Sequence, residues 1–282
     1  MCRLFARVAA APYPATLGLL EAPDSVEAQS RKEPDGYGIG TFDREGRPHV
    51  VKRAKAAFED RAFPQEAHEL RSRIFVAHIR FATNGENLER NTHPFVQHGR
   101  VFAHNGVVHG LDALEARLRP EYRALIGGET DSERVFALVT QEIDDRDGDV
   151  TAAITAVTTW IAETLPLYAV NLLLATADEL WALRYPDTHD LLWLDERETQ
   201  ASGHVDRRRR LRYGVDVPAP GIAVASEAMG DDMPWTPLEP GDLLHVAADL
   251  TPTVTRILDA PPAHPMTLAD LSGHAAAAQQ EK

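Results

Sequence analysis

The chain has 282 residues, is 44% hydrophobic and carries a formal net charge of −14 with histidine neutral. That length can bury a full core, while the acidic balance argues against a general binder of nucleic acid or anionic membrane, since both need a cationic surface to displace counterions. A single cysteine cannot make an internal disulfide, so nothing ties the chain to an oxidising compartment and a cytoplasmic location is expected.

At the N-terminus, Met1-Cys2-Arg3 leads into the apolar run Val8 to Ala11, which Pro12 and Pro14 interrupt. The run falls short of the roughly 20 apolar residues of a membrane span and of a signal-peptide core. Cys2 precedes it, whereas a lipoprotein cysteine follows its apolar segment. Methionine is readily removed before a small residue, so the mature chain would begin with a thiol and a free α-amine on Cys2. The ordinary amine pKa of about 7.7–8.0 leaves an unprotonated fraction near neutrality that can take the thiol proton. A cysteine packed at the start of an edge strand is the plainer alternative.

Short β-branched and aromatic runs predict strands near residues 2–9, 37–43, 48–53, 73–82, 100–108, 170–176, 179–185, 190–194, 221–227 and 243–247. Helical spacing falls at 63–72, 111–125, 131–144 and 151–165. Strands, a helical block, then strands again do not make a doubly wound βαβ chain; they predict α+β layers. One domain over residues 2–260 is expected, with a flexible tail over 261–282 where Pro, Ala and Gln take over. The basic run Arg207 to Arg212 reads as a solvated loop or strand edge.

Four segments could carry chemistry. Arg80 ends the buried run Ala77 to Thr83 and needs a counter-charge there, either a protein carboxylate or a ligand carboxylate bound through two hydrogen bonds. Asn91 to Phe95 is a polar turn. Phe102 to Gly106 ends a strand in a polar corner; Asn105-Gly106 is a turn by residue type, or a side-chain amide beside a backbone N–H, the paired neutral donors of an oxyanion hole. Thr130 to Glu133 is a capping box with Glu133 reaching back, which leaves Asp131 at the positive end of a helix, able to accept from an ammonium. His-Glu-x-x-His, Gly-x-Ser-x-Gly and phosphate-loop patterns are absent from the sequence, and the twelve histidines show no metal-ligand spacing, so no metal or other cofactor is expected.

Taken in order, these residues resemble the class II glutamine amidotransferases, particularly the stand-alone branch that includes the ergothioneine-pathway γ-glutamyl amidohydrolase. Met1-Cys2-Arg3-Leu4, Gln29-Ser30 with Pro34 to Gly40, His78 to Thr83, Asn91 to Phe95, Ala103 to Gly106, Thr130 to Glu133, Asn171 to Leu173, Leu180 to Arg184 and Ala225 to Glu227 with Trp235 carry the likeness. It implies a four-layer αββα sandwich of the N-terminal nucleophile hydrolase type. Cys2 is then the nucleophile, Asn105 and Gly106 the oxyanion hole, Arg80 the partner of a substrate α-carboxylate, Asp131 that of its α-ammonium, and Thr83 a residue positioning the glutamyl part. The departures are Tyr37 for a usual Trp, Glu33 for a His before Pro-Asp-Gly, Asn84 for a His of the sugar-amidating members, and Ala177-Asp178 for an Asp-Gly turn. They bear on substrate identity more than on reaction type.

The expected activity is hydrolysis of a γ-glutamyl amide, a small conjugate or glutamine, through a Cys2 thioester. A glutaminase subunit serving a separate synthase and a non-catalytic γ-glutamyl binder are the alternatives. The expected partner is that small molecule, not nucleic acid or membrane; a second copy of the chain or a synthase stays open.

Overall fold

The computed structural model describes residues 2–14, 16–81, 85–197, 220–229, 233–273 and 276. Its strands are β1 (Arg3–Pro14), β2 (Gly36–Phe42), β3 (Pro48–Arg53), β4 (Arg71–Arg80), β5 (Phe95–Gln97), β6 (Arg100–Val108), β7 (Leu167–Ala175), β8 (Leu180–Leu183), β9 (Leu192–Asp195), β10 (Gly221–Ala225), β11 (Thr236–Pro237), β12 (Asp242–Val246) and β13 (Pro252–Arg256). They form two antiparallel sheets, in the orders β11-β9-β10-β1-β4-β2-β3 and β13-β12-β8-β7-β6-β5. The helices are α1 (Val26–Gln29), α2 (Ala62–Glu69), α3 (Leu111–Arg117), α4 (Pro120–Arg123), α5 (Asp131–Asp145) and α6 (Val150–Thr164).

The pleat explains the layering, because alternate side chains leave opposite faces of a strand. Even-numbered Leu4, Ala6, Val8, Ile74 and Val76 of the first sheet meet Val101, Ala103, Leu173 and Leu244 of the second between the sheets. The outer face of the first sheet, with Phe5, Tyr37, Phe75 and Ile79, packs on Leu19, Val26 and Phe63. That of the second, with Phe102, Leu172, Leu174 and Leu183, packs on Val135, Phe136, Val139, Ile154 and Ile161 of α5 and α6. The result is the expected α+β sandwich of four layers, αββα.

Several expectations need correction. The helix over 111–125 is two short helices, because Pro120 has no N–H to continue α3 and instead opens α4 at its first turn. β6 fills the whole run predicted over 100–108, so Asn105-Gly106 lies inside a strand and the turn reading of that pair fails. β5, β11 and β13 carry no readable pattern, being short or exposed, with Val96 at 44% and Val254 at 43%. Residues 261–273, taken from composition as the start of a flexible tail, pack: Met266 and Leu271 bury against Val107 and Tyr168, and the Met266 N–H bonds to Leu167 O at 2.9 Å. The basic run Arg207 to Arg212 lies outside the described residues. Among those described, no helix is long and apolar enough to cross a membrane.

Candidate active site

Cys2 stands one residue before β1, on the parity of Leu4, so its side chain belongs to the inter-sheet face at one end of the sandwich. Its sulfur is held by the backbone of one residue: Phe81 N–H donates to Sγ at 3.3 Å, and the thiol donates to Phe81 O at 3.4 Å. Although Cys2 is part exposed, protein atoms crowd its sulfur. Burial pushes the thiol above its ordinary pKa; the Phe81 backbone and the Arg80 guanidinium oppose that, and Glu33 adds to it. The Cys2 side chain is therefore a thiol at rest, and it would need a base to act as a nucleophile.

Asn105 comes to the same point from the second sheet. Its Nδ2 donates to Cys2 O at 2.9 Å, and since a carbonyl only accepts, the amide end facing Cys2 is fixed. An amide nitrogen carries a second N–H beyond that bond. Gly106 is not in a turn: it sits inside β6, opposite Val170. A Cβ there would lie 2.0 Å from Ala169 O, so the close approach of β7, not a positive φ, requires glycine. Val170 spends its N–H on Tyr185 O at 2.8 Å, on its other side, which makes Gly106 and Val170 a non-hydrogen-bonded pair. The Gly106 N–H consequently points away from β7, toward the edge left open where β5 stops pairing at Phe102.

Arg80 ends β4 on the parity of His78 and is 3% exposed. Its Nη1 donates to Asn87 Oδ1 at 3.1 Å and its Nη2 lies 3.5 Å from Gly85 O. Burial pulls the guanidinium down, while Cys2, Asp35 and Glu129 hold it up. Thr83 and Asn84 lie outside the described residues.

Asp131 opens α5, where Thr130 caps the helix by accepting Glu133 N–H at 3.3 Å. The second half of the capping box does not form as expected, because Glu133 Oε1 takes the Gly127 N–H at 3.1 Å. Asp131 is buried, with Oδ2 accepting Val108 N–H at 2.8 Å and Oδ1 accepting Ser132 N–H at 2.9 Å. It ties α5 to β6 just beyond the Asn105-Gly106 pair, and Ser132 Oγ continues the link to His104 Nδ1 at 2.9 Å. A carboxylate has about four lone-pair sites, so these bonds leave capacity for a further donor.

Buried histidines surround the site. His78 is pushed down to about 3, by burial first and then by Arg80 and His104. His93, 4.2 Å from it ring to ring, is held down by burial and by His78. These rings are neutral at physiological pH. Among the described residues no group of three or more His, Cys, Asp or Glu could hold a metal ion.

Residue type alone did not single out Phe81, which acts through its backbone, or Asn171, which pairs with Asn105 across the ladder and donates to His189 O at 3.1 Å. The repeated Asn on facing strands was the available signal for the second.

A cysteine near the start of the first strand, with a neutral side-chain amide bonded to its carbonyl between two antiparallel sheets, is an arrangement suited to amide-transfer chemistry. The family model for class II glutamine amidotransferases matches residues 1–261, and the chain belongs to that family of enzymes. The "Probable glutamine amidotransferase DUG3" of Saccharomyces cerevisiae is 31% identical over 119 residues, covering 39% of this chain and 33% of that protein. A glutamine--fructose-6-phosphate aminotransferase of Brucella suis is 34% identical over 134 residues, covering 46% of this chain and 22% of that protein. The match therefore spans a third or less of the length of these curated relatives. A solved class II glutamine aminotransferase domain protein from Silicibacter pomeroyi superposes with TM-score 0.63 at 21% identity, covering 90% of this chain and 99% of that one, a likeness of fold.

Proposed function

We propose that the chain hydrolyses a γ-glutamyl amide, a small γ-glutamyl conjugate or glutamine, through a thioester on Cys2. The observation that carries this reading is the Asn105 amide held 2.9 Å from the Cys2 carbonyl, with the Gly106 N–H turned to the open edge beside it. Once Met1 is removed, the Cys2 α-amine takes the thiol proton and sulfur attacks the γ-carbonyl carbon. The Asn105 and Gly106 donors stabilise the oxyanion. As the tetrahedral intermediate collapses, the C–N bond breaks, and the α-ammonium returns its proton to the leaving nitrogen. Water then adds to the thioester, giving glutamate and the free thiol. Arg80 takes the substrate α-carboxylate through its planar fork, Asp131 uses its remaining lone pairs on the α-ammonium, and Thr83 positions the glutamyl chain.

The test is N-terminal. Mass spectrometry of the active protein is expected to show Met1 missing, and a form with a tag left ahead of Cys2 is expected to fold and be inactive, because an amide nitrogen is not basic. Cys2→Ala abolishes turnover yet keeps substrate binding measurable. A glutamine-derived chloroketone adds its mass to the N-terminal peptide only when Cys2 is unblocked. Full activity from a protein that retains Met1 would overturn the mechanism.

A further inference from the structure

The chemistry above uses the α-amine of Cys2 and assigns no part to the charges gathered beside it. Arg3, the next residue, is buried, and its Nη2 lies 2.5 Å from Glu227 Oε1 and 3.5 Å from Glu33 Oε1. Glu33 is 1% exposed and Glu227 40%. The backbone holds this arrangement in place, since Ser226 Oγ accepts the Leu4 N–H at 2.9 Å and the Ser226 N–H donates to Leu4 O at 3.0 Å. Glu33 is close enough to Cys2 for its charge to act on the thiol, and burial pushes its own carboxyl up against the pull of Arg3. Two carboxylates converging on one guanidinium repel each other and leave a net negative charge, which attracts a cation at the edge of the cluster. The chain's amino group already draws on Glu33, and loss of Met1 places that amino group on Cys2, the residue adjoining Arg3. Glu33 is also the position where the sequence departs from the histidine usual before Pro-Asp-Gly.

We propose that Glu33, braced by Arg3 against Glu227, docks the α-amino group of processed Cys2 as a positioning residue, aiming the amine at the thiol and strengthening it as a base. This rests on the reading of Cys2 as nucleophile. A carboxylate beside an ammonium favours the charged form, so the docked amine is a stronger base that becomes free only at higher pH. The other charged groups facing this corner are few. Arg80 and Asp35 lie toward β4, where Arg80 draws the thiol down. Glu227 adds to the field of Glu33, and Arg3 opposes it. Buried His189, pushed down to about 4 by burial with Arg3 adding to it, stays neutral. The nearest carboxylates prevail, and the amine moves up.

Competitive labelling of the Met1-free protein with trace acetic anhydride across pH 5–10, read on the N-terminal peptide by mass spectrometry, tests this without turnover. The native amine is expected to titrate above the ordinary value of about 8. Glu33→Gln is expected to lower it by about one pH unit or more. The acid limb of kcat/KM moves down in parallel, while KM for a γ-glutamyl substrate holds. An amine that titrates alike in native protein and Glu33→Gln, even with reduced kcat or thermal stability, makes Glu33 a counter-ion of Arg3 only and overturns the proposal. Should Glu33→Gln fail to fold, the native value and Glu227→Gln decide: an elevated amine lowered by that change supports docking, and a native value at or below about 8 overturns it. Amidase activity with an unshifted amine sinks the docking alone. A shifted amine in a protein that cleaves no γ-glutamyl amide sinks the hydrolase reading alone.

Discussion

The two sheets bring opposite kinds of chemistry to the same end of the sandwich. From the first come ionisable groups: the Cys2 thiol, the Arg80 guanidinium, and the Arg3, Glu33 and Glu227 cluster. From the second come neutral donors fixed by strand pairing, the Asn105 amide and the Gly106 N–H, and behind them Asp131, engaged in holding β6 to α5. Groups that change protonation during a reaction need neighbours that tune them, whereas donors that receive an oxyanion work best when they do not move. The nucleophile apart, damage to the Asn105 and Gly106 donors of the second sheet should therefore appear in kcat, and damage to Arg80 or the Arg3 cluster of the first in substrate affinity and pH dependence.

The largest effect of this kind is expected for Asn105→Ala, which removes one oxyanion donor and lowers kcat roughly 10²–10³-fold with little change in KM. Steady-state kinetics with a γ-glutamyl amide check it, and near-normal kcat would reduce Asn105 to a clamp on the Cys2 carbonyl. Next comes Arg80→Ala on the opposite sheet. A charge-assisted contact is worth about 1.5–3 kcal/mol, so KM rises by one to two orders of magnitude; an unchanged KM would break the symmetry of roles proposed for the two sheets.

Asp131→Asn probes the structural half of the second sheet. An amide cannot accept with both ends, so either Val108 N–H or Ser132 N–H meets another donor and stability falls by about 1–3 kcal/mol. Denaturation midpoints report this, and substrates lacking a free α-amine should lose no affinity beyond it. The last effect is a slope with pH, shallow near neutrality. Because His78 titrates at about 3 in the fold against about 6.5 unfolded, the unfolded chain binds the extra proton in between. Stability is full above pH 6.5 and falls as pH drops toward 3, by up to about 1.4 kcal/mol per pH unit for this residue. Urea titrations at pH 7 and pH 5 should show the loss, and His78→Gln should flatten it.

Much of this was legible in the sequence because local pattern and tertiary need agreed. The apolar periodicity of 131–144 and 151–165 returned α5 and α6 nearly to the residue. Arg80 was conspicuous as a charge at the end of a buried run. Asn105 and Gly106 carry a local turn signal inside a run that reads as a strand over 100–108, and the strand prevails because the approach of β7 to Gly106 leaves room for glycine alone. Glu133 likewise follows the capping-box spacing, yet the Gly127 N–H claims its carboxylate. The edge strands β5 and β13 were silent because the first is only three residues long and the second is exposed, and an exposed strand needs no alternating pattern.

The pleat that sorts residues of β1 between the two faces also sets a counting rule for the start of the protein. Cys2, two residues before Leu4, shares its face, and Arg3 takes the other. One residue inserted between Cys2 and Leu4 would leave a cysteine first in the mature chain with its amine intact, and would turn the thiol toward the helix side. On the proposed mechanism, being first is thus only half of the requirement; the other half is an even distance from the core, a constraint that anyone grafting such a cysteine onto another strand would have to copy.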